Sequence, residues 1–145
     1  MSNVLVIAPH ADDETLGCGG TLLRHASEGD ETSWLIMTDA DESLGYSKDF
    51  IKRRENEIKT VSSMYNFKSV HRGNFATTTL DTIPMNDIVA SISAVVSETE
   101  PEIIYMPNRG DAHTDHTYVY DAMASCTKSF RYPFIKKVMV YETIS

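Results

Sequence analysis

The run Val4-Leu5-Val6-Ile7-Ala8 decides the fold of this chain, because an apolar run of this length is typical of a strand buried on both faces of a sheet. Further strand-like runs are predicted at 32–38, 103–106 and 137–141, with a short edge strand at 69–71. Segments with helical periodicity lie between and after them, at 15–28, 49–66, 84–98 and 115–129. This alternation predicts an α/β, Rossmann-like, doubly wound and mostly parallel sheet. For such a sheet we expect the strand order 3-2-1-4-5.

The bulk composition limits the domain count and the classes of partner. With 145 residues, of which 41% are hydrophobic, the chain is expected to form a single domain over residues 1–145. A formal net charge of -8 argues against nucleic acid or an anionic membrane as a partner, because phosphates would be repelled. The two cysteines, Cys18 and Cys126, form no C-x-x-C motif and are expected to be reduced thiols. No run is long enough to span a membrane and none resembles a signal peptide, which predicts a cytoplasmic location.

Two polar clusters follow predicted strands at the places where open α/β sheets bind their ligands. His10, Asp12 and Asp13 come directly after the first strand, and the segment 111–116 follows the strand at 103–106. Ligands of such sheets bind beyond the carboxyl ends of the strands, at the point where the strand order reverses. In the predicted order these two strands are neighbours across that point. We therefore expect the two clusters to face each other.

The spacing within the clusters is compatible with a metal site. His10 and Asp13 are three residues apart at the start of a helix, so both can face one side while Asp12 points elsewhere. Either His113 or His116 would complete a three-ligand site with an open water position, the pattern of catalytic zinc, and spacing alone does not choose between them. Two other interpretations stay open at this point: both aspartates merely cap the helix, and the second cluster is a solvated loop.

Taken together, these motifs resemble those of the LmbE/PIG-L family of zinc-dependent N-deacetylases. Members of that family carry A-H-P-D-D-E after the first strand and H-x-D-H after the fourth, together with a glycine-rich helix start and an R-x-x-E helix segment. The matching segments here are Pro9-His10-Ala11-Asp12-Asp13-Glu14, His113-Thr114-Asp115-His116, Gly17-Cys18-Gly19-Gly20-Thr21 and Arg54-Glu55-Asn56-Glu57-Ile58. The resemblance covers nearly the whole chain.

The resemblance implies a role for each residue of the two clusters. His10, Asp13 and His116 are expected to bind the metal, which is Zn²⁺ with Fe²⁺ as the alternative. Asp12 is expected to act as the general base, and His113 as the acid or the oxyanion-stabilising group, supported by Asp115. The implied reaction is hydrolysis of an N-acetyl group, giving acetate and a free amine. The implied substrate is a small N-acetylated amino sugar or its conjugate, above all one containing N-acetylglucosamine, and a homo-oligomer is compatible with this function.

Two departures from the family pattern lead to further expectations. Pro9 and Ala11 have exchanged places around His10, which removes a rigid proline between the expected ligand and the expected base. Family members also continue past a strand such as 140–142, so the resemblance implies that this chain lacks the family's C-terminal part.

Two alternative functions are carried forward. A catalytically silent protein that binds metal or carbohydrate would need the same clusters without turnover. A receiver-like phosphoacceptor domain could also hold Mg²⁺ with the acidic pair that follows the first strand. Against the receiver-like domain, there is no aspartate at the end of a clear third strand, and Lys136 and Lys137 precede the last strand rather than follow it.

Overall fold

The computed structural model describes residues 1–144; Ser145, the last residue of the predicted domain, lies outside the described residues. Within residues 1–144 the strands form one five-stranded sheet in the order β3-β2-β1-β4-β5, with every neighbouring pair parallel. The strands are β1 (Asn3–Ala8), β2 (Glu31–Asp39), β3 (Ser69–Ala76), β4 (Ile103–Pro107) and β5 (Lys137–Tyr141). The predicted fold class and strand order are therefore confirmed. A receiver-like domain is contradicted, because its strand order is 2-1-3-4-5.

Helices cover both faces of the sheet. They are α1 (Asp13–Ser27), α2 (Lys48–Tyr65), α3 (Met85–Thr99) and α4 (Thr114–Ala124), with short 3₁₀ turns at Glu42–Leu44 and Leu80–Thr82. In β1, Leu5 and Ile7 pack with α3 and α4 on one face, while Val6 and Ala8 pack with α1 and α2 on the other. Burial on both faces is the reason why β1 is continuously apolar. In the described part of the chain, no helix has the length and apolar character needed to cross a membrane.

Strand β3 is longer than the predicted edge strand 69–71, because a bulge accommodates residues that are typical of a turn. Opposite Gly73 and Asn74, the partner strand β2 offers the single residue Met37, and the register shifts there. Asn74 adopts a left-handed backbone conformation with φ of 62°. A Cβ at Gly73 would lie 2.5 Å from the carbonyl oxygen of Met37, so glycine permits this close approach of the two strands.

Helix α4 ends at Ala124, five residues before the predicted end at Ser129. The backbone N–H of Cys126 donates to the carbonyl oxygen of Met123 at 2.8 Å, which closes a tight turn after the helix. This turn buries Cys126 in the core on the α3 side of the sheet. Because this turn is also buried, the apolar residues of the segment predicted as a helix, 115–129, continue beyond the end of α4.

A close contact between Gly17 of α1 and Tyr141 of β5 supports the region behind the carboxyl end of β1. The Tyr141 ring is buried, and its hydroxyl donates to the carbonyl oxygen of Ile7 at 2.6 Å. A Cβ at Gly17 would overlap that ring. In contrast, a Cβ at Gly20 of the same helix would meet nothing within 4 Å.

We expect Gly17→Ala to lower the free energy of unfolding by about 1 to 3 kcal/mol, because the added methyl group overpacks a fixed aromatic ring. Gly20→Ala is the matched control and should raise the same quantity by up to about 1 kcal/mol through helix propensity. Urea denaturation of both variants measures the difference. Equal effects of the two substitutions would show that the Tyr141 ring moves aside without cost.

Candidate active site

The two polar clusters meet because β1 and β4 are adjacent in the sheet. Val4 pairs with Ile103, and Val6 with Tyr105, so the carboxyl ends of both strands lie at the same edge. The turn after β1 carries His10 and leads into α1 at Asp13. The loop after β4 carries Asp111 and His113 and leads into α4, whose first turn contains Asp115 and His116. The predicted approach of the clusters is confirmed.

His10, Asp13 and His116 converge on one point. The Oδ2 atom of Asp13 lies 3.2 Å from Nδ1 of His10 and 3.1 Å from Nε2 of His116. One ligand atom from each of the three residues lies within 4.8 Å of the other two. Tetrahedral zinc with bonds of 2.0–2.1 Å separates its ligands by about 3.3 Å, so this donor set fits such an ion.

Carboxylates lie behind both of these histidines. The Nε2 atom of His10 is 2.9 Å from Oδ2 of Asp115, within hydrogen-bond distance. The Nδ1 atom of His116 lies 3.1 Å from Oδ2 of Asp111, close enough for an ion pair but without hydrogen-bond geometry. Histidines that bind metals usually direct their second nitrogen to such a partner, which orients the ring and fixes its tautomer. The contact to Asp115 places the proton of a neutral His10 ring on Nε2 and leaves the Nδ1 lone pair facing Asp13.

The carboxylate of Asp115 lies within hydrogen-bond distance of His10. The resemblance implied that Asp115 supports His113; in the structure its carboxylate contacts His10 and also accepts the backbone N–H groups of Thr78 at 2.8 Å and Leu80 at 3.3 Å. The backbone N–H of Asp115 donates to Nδ1 of His113 at 3.1 Å, and a carboxylate oxygen of Asp115 lies within 4.8 Å of a ring nitrogen of His113 without a hydrogen bond to it. The physical reason for these contacts is the position of Asp115 in the first turn of α4, where its fully buried side chain is directed towards the loops after β1 and β3.

The ring of His113 is oriented by the start of α4. It is the N-cap residue of α4, and its Nδ1 accepts the backbone N–H of Asp115 at 3.1 Å. A neutral ring that accepts at Nδ1 carries its proton on Nε2. Burial lowers the pKa of His113, and the nearby positive charge of His10 lowers it further. Its ring centroid lies 4.4 Å from that of His10, so the donor stands beside the converging ligand atoms.

Neither aspartate of the first cluster acts as a helix cap. Asp12 occupies the N-cap position of α1, yet its side chain makes no capping hydrogen bond within the described residues. It is exposed and lines the cavity described below. Asp13 is buried, and its Oδ2 accepts the backbone N–H of His10 at 2.9 Å instead of one from its own helix. The geometry therefore speaks against the helix-cap interpretation of this pair.

Electrostatics at the converging residues favour a positive charge. Burial alone would lower the pKa of His10, but hydrogen bonds to Asp115 and Asp13 outweigh it and raise the pKa to about 9. Burial opposes ionisation of Asp13, yet hydrogen bonds to His10 and His116 hold its pKa well below the usual range. The cluster thus stabilises a cation at this position, and a proton and a metal ion would compete for it.

An open cavity of about 560 Å³ gives access to the cluster. Five of the predicted site residues line it, namely His10, Asp12, Asp13, His113 and His116. Its opposite wall comes from the start of α2 and the end of β2, which are joined by ion pairs from Arg72 to Glu55 and Asp39. A volume of this size is within the range of pockets that bind small molecules.

The sequence interpretation missed Asp111 as a site residue. The Oδ2 atom of this aspartate, besides lying near His116, accepts a hydrogen bond from the hydroxyl of Thr143 at 2.6 Å. Its position two residues before His113 was a usable signal, since carboxylates commonly accompany metal-binding histidines.

Comparison with known proteins identifies the family. The model of the family described as "PIG-L: GlcNAc-PI de-N-acetylase" matches residues 5–127, which is most of the chain. The chain belongs to the PIG-L family. The predicted family is confirmed, and both converging clusters lie within the matched residues.

Several deacetylases and a protein of known structure are similar to this chain. The chain is 28% identical to the uncharacterized deacetylase YaiS of Escherichia coli K12, over 98% of this chain and 74% of that protein. It is also 28% identical to a diacetylchitobiose deacetylase of Thermococcus kodakarensis, over 81% of this chain but only 46% of that protein. The crystal structure of the conserved protein TT1542 from Thermus thermophilus superposes with a TM-score of 0.81 at 25% identity, covering 100% of this chain and 68% of that one.

Proposed function

We propose that this protein hydrolyses the N-acetyl group of a small molecule containing N-acetylglucosamine, releasing acetate and a free amine. The observation that carries the proposal is the convergence of His10, Asp13 and His116 in one cavity. Beside them lies the exposed Asp12, whose side chain makes no capping hydrogen bond. Support for the substrate class comes from the family's description as a de-N-acetylase and from the relative named a diacetylchitobiose deacetylase.

The proposal includes a divalent metal held by His10, Asp13 and His116. Two imidazole nitrogens and one carboxylate oxygen suit Zn²⁺, with Fe²⁺ as the alternative, better than Mg²⁺, which prefers oxygen ligands alone. When bound, the metal would supply polarisation of the acetamide carbonyl and acidification of the attacking water. Cys18 and Cys126, both free and buried, would not compete as ligands and fit the cytoplasmic location that forms part of the proposal.

The remaining chemistry is assigned to the residues beside the ligands. Asp12, free of any capping hydrogen bond, accepts the proton of the attacking water and then returns it to the amide nitrogen as the C–N bond breaks, so that the amine leaves in its neutral form. His113, whose Nδ1 is occupied by the backbone N–H of Asp115, donates from Nε2 to the oxyanion that forms at the carbonyl. The carboxylate of Asp115 positions His10, and its backbone N–H positions His113. Of the two roles that the resemblance implied for His113, oxyanion stabilisation by a neutral ring is the one proposed here.

An acetate-release assay tests the proposed activity. The protein is incubated with N-acetylglucosamine and with N,N'-diacetylchitobiose after loading with zinc, after chelation, and after chelation followed by zinc. We expect acetate and free amine from at least one substrate, loss of both on chelation and recovery on reloading. Stoichiometric metal binding without acetate from either substrate would instead favour a catalytically silent binding protein.

Asp115→Asn tests the support given to His10. We expect metal affinity to fall by about 10- to 100-fold, because a neutral amide orients the imidazole less firmly and makes it a weaker ligand. Zinc affinity is measured by competition with a chromogenic chelator, and thermal unfolding checks that the fold persists. The matched control is Asp121→Asn, which removes a carboxylate of the same helix that pairs with Arg109 at the surface. Unchanged affinity in Asp115→Asn would remove Asp115 from the metal centre.

A further inference from the structure

An aromatic pair forms part of the cavity wall that is contributed by the start of α2. The rings of Tyr46 and Phe50 are stacked, with centroids 5.1 Å apart and planes inclined by 28°. Both residues line the same cavity as the His10–Asp13–His116 cluster, although none of the family motifs includes them. Tyr46 remains 37% exposed, so much of its surface is available to a ligand.

The segment that carries this pair is held in place by local contacts. Asp41 caps the preceding 3₁₀ turn by accepting the backbone N–H of Ser43 at 2.8 Å. Gly45, with φ of 91°, reverses the chain directly before Tyr46. The Ser47 hydroxyl caps α2 by accepting the backbone N–H of Phe50 at 3.1 Å. The ring of Tyr46 is therefore positioned before a ligand arrives, which reduces the entropy lost on binding.

Neighbouring side chains complete a wall with an apolar face and polar edges. The guanidinium of Arg53 lies over the Phe50 ring, 5.3 Å from its centroid, and braces the pair from the solvent side of α2. Leu16, 54% exposed, lines the same cavity from α1. Arg54 also lines the cavity, and its nearest carboxylate, that of Glu57, is 3.7 Å away. Apolar walls combined with a few hydrogen-bond donors are typical of small-molecule sites.

We propose that Tyr46 forms a stacking subsite for a second pyranose ring, linked to the N-acetylated sugar whose acetamide lies at the metal-ligand cluster. The inference rests on the proposed function. A pyranose presents a flat face of C–H groups to an aromatic ring and hydroxyl groups around its edge. The stacked wall matches the first feature, and the donors of Arg54 match the second. An acyl chain would use the apolar face but not those donors.

The subsite predicts a preference for disaccharides. Binding energy from a ring remote from the reacting bond contributes to kcat/KM, whereas a monosaccharide cannot reach the subsite when its acetamide lies at the cluster. Tyr46→Ala should therefore lower kcat/KM for N,N'-diacetylchitobiose by about 2- to 10-fold, the range typical of one aromatic contact. The kcat/KM of Tyr46→Ala for N-acetylglucosamine should stay within about twofold of that of the unmodified protein. Tyr46→Phe, which keeps the stacking ring, should behave like the unmodified protein with both sugars.

Steady-state kinetics on both sugars test the subsite, with Phe130→Ala as the matched control. Phe130 is an aromatic residue that is 79% exposed and does not line the cavity. Equal losses on both sugars in Tyr46→Ala, or a loss on neither, would overturn the proposal. So would a loss of the same size in Phe130→Ala.

Ligand-observed NMR separates failure of the subsite from failure of the proposed function, because saturation transfer to a sugar requires binding but no turnover. We expect saturation transfer from the protein to N,N'-diacetylchitobiose. This transfer should be weaker in Tyr46→Ala and unchanged in Tyr46→Phe. If N-acetylglucosamine is deacetylated but this transfer does not depend on Tyr46, the subsite is wrong and the function stands. If the transfer depends on Tyr46 but no sugar releases acetate, the function is wrong and the subsite stands. Absence of binding and turnover with both sugars would overturn both.

Discussion

Asp12→Asn should lower the rate of acetate release by about 100- to 10,000-fold, because the general base is removed. The metal content should stay at about one ion per chain. An amide cannot accept the proton of the attacking water. The three proposed metal ligands are untouched, since the Asp12 side chain is exposed to the cavity while the buried Asp13 makes the contacts to His10 and His116.

The same variant distinguishes catalysis from helix capping. Asparagine caps a helix about as well as aspartate, so a residue that merely capped α1 would tolerate the change with little effect on rate or stability. Metal analysis and acetate release should be measured on one preparation, together with thermal unfolding. A rate close to that of the unmodified protein would remove Asp12 from the general-base role.

Asp13→Asn should fail in a different way, by losing the metal. Its Oδ2 atom lies near both imidazoles and accepts the backbone N–H of His10, so an amide at this position would bring a neutral group to the centre of the cluster. We expect the affinity for zinc to fall by more than roughly 10- to 100-fold, which is the loss typical of removing a group that only hydrogen-bonds to a metal ligand. Activity at limiting zinc should fall with it.

A zinc titration against a competing chelator compares Asp13→Asn with Asp12→Asn, which differs only in the position of the change. Excess zinc should restore part of the activity of Asp13→Asn and none of that of Asp12→Asn. Equal loss of metal from the two variants would contradict the separate roles proposed for these adjacent residues.

Most of the fold could be predicted because the apolar runs report burial directly. The continuous run in β1 identified a central strand, and the alternation of strands with helices indicated a parallel, doubly wound sheet. The extension of β3 could not be predicted, since Gly73 and Asn74 favour a turn in isolation. They form a bulge only because Met37 of the neighbouring strand lies opposite them.

The candidate site was predictable where short spacing matters and unpredictable where distant segments meet. The three-residue spacing of His10 and Asp13 placed two donors on one side, but it left His113 and His116 equivalent as the third. In the structure the backbone N–H of Asp115 donates to Nδ1 of His113, whereas Nε2 of His116 lies 3.1 Å from Oδ2 of Asp13. The contact of Asp115 with His10 joins residues 105 positions apart, and no local pattern specifies it.

Anomalous diffraction at the zinc absorption edge, from crystals grown with zinc, tests the central claim most directly. We expect one strong peak per chain, within bonding distance of Nδ1 of His10, Oδ2 of Asp13 and Nε2 of His116, with Asp12 near the ion but not bound to it. A peak bound by other side chains, or crystals grown with zinc that show these three residues without an ion between them, would contradict the proposed metal site.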